Sequence, residues 1–189
     1  VVFDIGGGST ELVLIDDAKP VPHIVDWHSA PWGVVSLTES HGRVKGGDGP
    51  VAYERMRAVA RESFAAFVER LGQRGLPDGA VSVRLLGTSG TVTTLASVHL
   101  GLESYDRSQV DGLIVPAPAM RAISQRLAGM NLAQRATVPC IGTERADLVV
   151  AGCAILEAIL DLWPAERLGI ADRGIREGIL RRLMQGDVH

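Results

Sequence analysis

Apolar residues come in short blocks at the start of the chain and at helical spacing further on. Residues 1–5 form an apolar run broken by glycines, and residues 12–15 form a second. Asp16-Asp17-Ala18-Lys19-Pro20 reads as a turn, followed by a third strand over residues 23–27. Three strands joined by short turns predict an antiparallel meander. Residues 51–71 then place Met56, Val59, Phe64, Phe67, Val68 and Leu71 at helical spacing, and the Gly- and Pro-rich residues 72–79 end that helix. Residues 81–86 predict a strand running into the turn Gly87-Thr88-Ser89-Gly90-Thr91, inside which a helix starts.

Pro116 and Pro118 lead into a helix over 119–127, since proline is tolerated in a first turn. Thr143 is placed to cap a long helix over 144–163, stopped by Pro164. That helix is apolar on most faces from 148 to 156, which predicts burial on more than one side. A strand at 168–170 and a helix over 175–184 close the chain. This order is that of an α/β layered domain whose sheet is partly antiparallel.

Composition narrows the function classes. The 189 residues suit one domain, and 46% apolar residues supply a sizeable core. With 19 basic and 22 acidic side chains the formal charge is −3, which argues against a general nucleic-acid or membrane-surface binder. Only Lys19 and Lys45 are lysines, so a local arginine patch stays open. The most apolar stretch, 148–162, carries Glu157 and Asp161 and is too short to span a bilayer. Cys140 and Cys153 lack metal-ligand spacing, and Cys153 reads as a buried free thiol, consistent with a cytoplasmic setting. The chain opens directly on Val1-Val2-Phe3, as expected of a piece of a longer polypeptide.

Chemistry concentrates in "DIGGGSTEL". Asp4 near the end of the first strand and Glu11 near the start of the second bring two carboxylates to one end of the sheet. Gly6, Gly7 and Gly8 allow positive φ and let successive N–H groups converge on an anion, with Ser9 and Thr10 adding hydroxyl donors. At about 4 Å and an effective dielectric near 20, each close like-charge pair costs roughly 4 kcal/mol. A divalent cation between the acids and a phosphate reverses that sign, and magnesium suits two carboxylates plus phosphate oxygens.

The second turn, Gly87, Thr88, Ser89, Gly90 and Thr91, lies between strand and helix, where amides at a helix N-terminus favour anions. It is not a nucleophile elbow, because Thr91 stands where glycine is needed, and no Gly-Lys-Ser/Thr of a P-loop occurs. The five histidines form no spaced metal pair and read as surface or packing residues. Arg145 and Asp147 fall in the first turn of the long helix, where Asp147 complements the helix dipole, and Arg173 and Arg176 read as helix-end arginines.

"VVFDIGGGSTELVLID" resembles the second phosphate motif of the exopolyphosphatase/guanosine pentaphosphate phosphohydrolase (Ppx/GppA) family. "LLGTSGTVTTLA", "ERADLVVAGCAIL" and "ADRGIREGIL" resemble further motifs of that family, in family order and across essentially the whole chain. The resemblance implies a ribonuclease-H-like fold of the actin-like ATPase superfamily. It also implies release of terminal phosphate from polyphosphate or guanosine pentaphosphate, dependent on magnesium or another divalent cation such as manganese. Asp4 and Glu11 would then bind metal or orient the attacking water, and Gly6 to Thr10 would hold the terminal phosphate. Residues 1–189 would be the second half of the catalytic core. The first domain, upstream, would carry the general-base glutamate and the other phosphate loop, leaving this half inactive alone. Self-association into a homodimer is allowed for. Two other readings stay open at this point: an ATP-binding sugar-kinase-type or actin-like domain, and a non-catalytic sensor of phosphorylated nucleotides.

Overall fold

The computed structural model describes residues 1–16, 22–42, 49–74 and 83–172. The predicted helix over 175–184, Arg173, Arg176 and parts of the predicted turns and of the strand at 81–86 lie outside the described residues. Strands β1 (Val2–Ile5), β2 (Thr10–Asp16) and β3 (His23–Ala30) form the expected meander. Strands β4 (Leu85–Thr88), β5 (Ile114–Pro116) and β6 (Arg167–Ala171) complete one six-stranded sheet of order β3-β2-β1-β4-β6-β5. β1, β4 and β6 run parallel, while β5 is antiparallel to β6. The mixed sheet packed by helices is the fold class that the sequence pattern predicts.

The connection from β3 to β4 holds α1 (Val34–Leu37), a π-turn (Thr38–Gly42), α2 (Pro50–Ser63) and α3 (Ala65–Gln73). That from β4 to β6 holds α4 (Gly90–Leu100), α5 (Arg107–Val110), α6 (Ala117–Ala128), α7 (Leu132–Ala136), α8 (Gly142–Arg145) and α9 (Val149–Leu162), with β5 between α5 and α6. α9 packs along α2 and α6, and every residue from Ala151 to Leu160 in it is buried, as its uniformly apolar sequence requires. Among the described residues no helix is long and apolar enough to cross a membrane.

Two predicted helices are broken. The helix expected over 51–71 divides at Phe64, whose N–H turns to Arg61 O (3.2 Å), three residues back, so that the fully buried ring reaches the core. The helix expected from 144 also divides. The Ala146 carbonyl accepts from Arg135 Nε (2.7 Å), which competes with the helical ladder, and α9 begins only at Val149. Thr143 therefore does not cap it, and Asp147 precedes it. α9 also encloses a polar cluster: Asp161 pairs with Arg57 (2.7 Å) and Arg121 (2.9 Å), while Glu157 lies 3.5 Å from Arg57. Burial raises the Glu157 carboxyl above the usual carboxylate range despite that arginine.

The sheet alternates sharply between its faces. Phe3 pairs with Leu12 and Gly87, and Gly87 with Ile170, on the face the helices cover. The next rung faces the other way and carries the acids.

Candidate active site

Asp4 is the direct partner of Glu11 on β2 and of Thr88 on β4. Glu11 pairs with Ser29 on β3, and Thr88 with Ala171 on β6. One rung across five strands thus reads Ser29, Glu11, Asp4, Thr88, Ala171. The predicted meeting of Asp4 and Glu11 at one end of the sheet is what the strand register produces. Two hydroxyls converge on Glu11 Oε1, Ser9 Oγ at 2.6 Å and Ser29 Oγ at 3.1 Å, and fix the carboxylate with charge-assisted bonds. Thr88 Oγ1 donates to Phe3 O (3.3 Å), tying β4 to the strand that carries Asp4.

The loop between β1 and β2 is shaped by its contact with α1. Gly6 O accepts from Val34 N (2.9 Å), Gly7 O from Val35 N (2.8 Å), and Gly8 O from Ser36 Oγ (3.1 Å). In a trans peptide the N–H points opposite to its carbonyl. Three carbonyls turned toward α1 therefore aim the following amides, those of Gly7, Gly8 and Ser9, to the other side. No acceptor among the described residues takes them, and Gly7 and Gly8 are exposed. Successive amides turned to one side of a bend make a nest that an anion can fill. Positive φ, expected in this glycine run, is absent from it and falls on Ser89 instead. What glycine supplies here is close approach: a Cβ on Gly33 would lie 2.4 Å from Gly6 O.

The second turn is offset from its predicted place. Gly87 and Thr88 belong to β4, and a Cβ on Gly87 would stand 2.8 Å from Phe3 Cζ and from Val92 Cγ1. Gly87 is thus a packing residue on the covered face, not part of the anion cradle. Ser89 is the N-cap of α4, with φ 112° and ψ 163°, and its buried hydroxyl has no partner among the described residues. The first ladder bond is Thr93 N to Ser89 O (3.1 Å), so the amides of Gly90, Thr91 and Val92 head the helix without ladder partners.

Two further hydroxyls are corrected by the structure. Thr10 points into the core, fully buried, and donates to Trp32 O (2.7 Å). The Thr91 side chain leans on α9 at Gly152. The Ser9 hydroxyl donates to Glu11, which leaves its amide as the group turned toward the open side of the loop. Asp4, Glu11, Gly7, Gly8, Ser9, Thr88, Ser89 and Gly90 are brought together at one end of the sheet, with Gly6 closing the loop through its N–H to Ser9 O (2.9 Å). Sequence reading missed Ser29, Gly33 and Ser36, although "SAPWGVVS" directly after a strand was a usable signal.

The acids form a sparse donor set. Among the described residues no group of three or more His, Cys, Asp or Glu side chains could hold a metal ion. Two carboxylates fit a divalent cation that takes its remaining ligands from phosphate oxygens and water. Two of the histidines behave as packing residues: His28 bonds Ser63 O (2.9 Å) and stacks on Phe67, and His41 meets Trp32 edge-on, while His23 is exposed, 4.0 Å from Asp16.

The family model for the Ppx/GppA phosphatase family matches residues 1–186. The chain belongs to the Ppx/GppA phosphatase family. Exopolyphosphatase 2 of Mycobacterium tuberculosis is 30% identical over 185 residues, covering 95% of this chain and 54% of that protein. The Ppx/GppA enzyme of Aquifex aeolicus superposes with a TM-score of 0.78 at 24% identity, over 95% of this chain and 55% of that one. An exopolyphosphatase from Cytophaga hutchinsonii gives a TM-score of 0.78 at 20% identity, over 98% and 56%. The family's actin-like, ribonuclease-H-like fold is therefore the fold of this chain, which spans about half the length of the relatives it matches.

Proposed function

We propose that this chain is half of a phosphohydrolase site that releases terminal phosphate from polyphosphate, guanosine pentaphosphate or both. The observation that carries the reading is the set of three amides, Gly7, Gly8 and Ser9, aimed away from α1 beside the Asp4–Glu11 pair. Amides without acceptors favour the phosphate, and the acids repel it unless a cation intervenes. Magnesium, or manganese in its place, would be held by Asp4 and Glu11 and would neutralise charge on the transferring group. Phosphoryl transfer needs positioning and neutralisation more than covalent chemistry. In this scheme the nest holds the terminal phosphate, the head of α4 holds its neighbour, and Glu11, fixed by Ser9 and Ser29, orients the attacking water. The general base and the other phosphate loop belong to a domain upstream, so residues 1–189 alone bind phosphate weakly and do not turn over.

The reading is tested by magnesium-dependent phosphate release from the full-length protein, with polyphosphate and guanosine pentaphosphate side by side. Release from neither substrate, alongside retention of ATP, would favour a kinase-like nucleotide domain instead.

A further inference from the structure

Each amide of the glycine loop belongs to a peptide unit whose carbonyl is held by α1, and the three are not held alike. The Gly6–Gly7 unit is pinned by Val34 N on Gly6 O (2.9 Å), and the Gly7–Gly8 unit by Val35 N and Ser36 N on Gly7 O (2.8 and 3.3 Å). Those donors are main-chain amides at the start of a helix, so no side-chain truncation removes them. The Gly8–Ser9 unit differs. Among the described residues its carbonyl accepts one bond, from Ser36 Oγ (3.1 Å). The same hydroxyl accepts from Gly33 N (2.9 Å), and its other acceptor, Gly33 O, stands farther off at 3.4 Å. A serine hydroxyl has a single proton, and the nearer carbonyl takes it. That bond fixes the plane of the peptide whose other end is the Ser9 amide. Gly8 itself supplies no restraint: it is exposed, and a Cβ there would touch nothing within 4 Å. A glycine on one side gives the peptide wide freedom to turn.

We infer that Ser36 is a positioning residue: through the Gly8 carbonyl it sets the direction of the Ser9 amide, the third donor of the nest. The inference deepens the proposed function and rests on the reading of this loop as the terminal-phosphate site. It also ties the nest to the acids, because Ser9, whose amide Ser36 aims, is the residue whose hydroxyl holds Glu11 Oε1 (2.6 Å). Two of the three amides are thus directed by main chain alone, and the third depends on one hydroxyl carried by a four-residue helix.

The test measures phosphate release from polyphosphate by the full-length protein as wild type, S36A and S36T, with amide spectra of the same proteins titrated with inorganic tripolyphosphate. Loss of one amide donor should raise the KM of S36A about fivefold, the scale of one neutral hydrogen bond, while kcat stays within about twofold. S36T keeps the hydroxyl and should return KM to within about twofold of wild type. In the spectra, tripolyphosphate should shift the amides of Gly7, Gly8 and Ser9 in wild type, and those of Gly7 and Gly8 alone in S36A. S36C, close in shape with only a weak donor, should raise KM in the same sense and serves if S36A does not fold. An active variant with a lowered kcat or urea midpoint and an unchanged KM overturns the inference, since Ser36 would then matter for structure at large. Joint loss of all three shifts in S36A overturns it too, because Ser36 would then hold α1 and not one peptide. A folded wild type that releases phosphate from neither polyphosphate nor guanosine pentaphosphate overturns the proposed function itself, a failure that the comparison of variants keeps separate.

Discussion

A Cβ on Gly33 would lie 2.5 Å from the Gly7 carbonyl oxygen, so the start of α1 fits against the glycine loop only because residue 33 has no side chain. Gly33→Ala must push backbone from backbone, and overpacking of this kind costs on the order of 2 kcal/mol. Because α1 also takes the carbonyls that aim the loop's amides, the loss should reach function. We expect a lower urea midpoint for the 189-residue chain and weaker binding of inorganic tripolyphosphate, both read against wild type by denaturation and calorimetry.

In the proposed scheme Glu11, held by Ser9 and Ser29, orients the attacking water. Glu11→Gln keeps the shape and removes the charge, so the chain should fold as before while the full-length enzyme loses most of its kcat. A variant whose kcat stays within about threefold of wild type, ~0.7 kcal/mol, would remove Glu11 from the mechanism.

Asp26 ties β3 to α3 through Arg70 (3.2 Å) and Arg74 (3.6 Å). The bond from Arg70 holds its carboxyl below the usual range. A lowered folded pKa stabilises above the unfolded value and is lost as pH falls through the folded one. Acid unfolding of wild type below about pH 4 should therefore be steeper than that of D26N, and urea midpoints across that range decide it.

Glu157 works in the opposite sense. Burial raises its folded pKa, so its contribution declines as pH rises from the ordinary carboxylate value toward the folded one. Glu157→Gln mimics the protonated form. The variant should match wild type near pH 4 and equal or exceed its stability at about pH 8, flattening the pH profile. A variant less stable at the higher pH would mean that the ion pair with Arg57 outweighs burial.

The two thiols should differ. Burial pushes the Cys153 thiol up to about 12, whereas Cys140 is partly exposed with its Sγ 3.2 Å from Leu102 O. A disulfide reagent on the native chain should titrate one thiol promptly and the second only on unfolding.

Much of this was legible because local pattern and tertiary use coincide. Short apolar runs bounded by glycines and turn residues gave away β1, β2 and β3, and the apolar character of most faces of α9 announced its burial. The glycine loop and its two acids were readable because they are contiguous in the chain. What was not readable depends on distant partners. Helical spacing runs straight through Phe64, so nothing local marks the break that lets it reach the core. The Ala146 carbonyl is diverted by Arg135, eleven residues away. β5 has only three residues and ends on Pro116, too few for a periodic signal, as are α1, α5 and α7. At the site, Thr10 and Gly87 looked like cradle residues because they adjoin turns, yet strand alternation turns both to the core. Gly33 is assigned its part only by the loop it meets 26 residues upstream.

The two turns proposed to hold anions leave the sheet just beyond Asp4 and Thr88, neighbours on hydrogen-bonded parallel strands. Their separation is consequently a gauge set by backbone spacing, about 4.8 Å per strand, whatever side chains surround it. Substitutions can loosen or tighten either turn, but re-marking the gauge takes a slip of register, and a one-residue slip would send Asp4 to the core and Phe3 to the surface. Each jaw of this site can drift independently in sequence while the opening between them stays fixed.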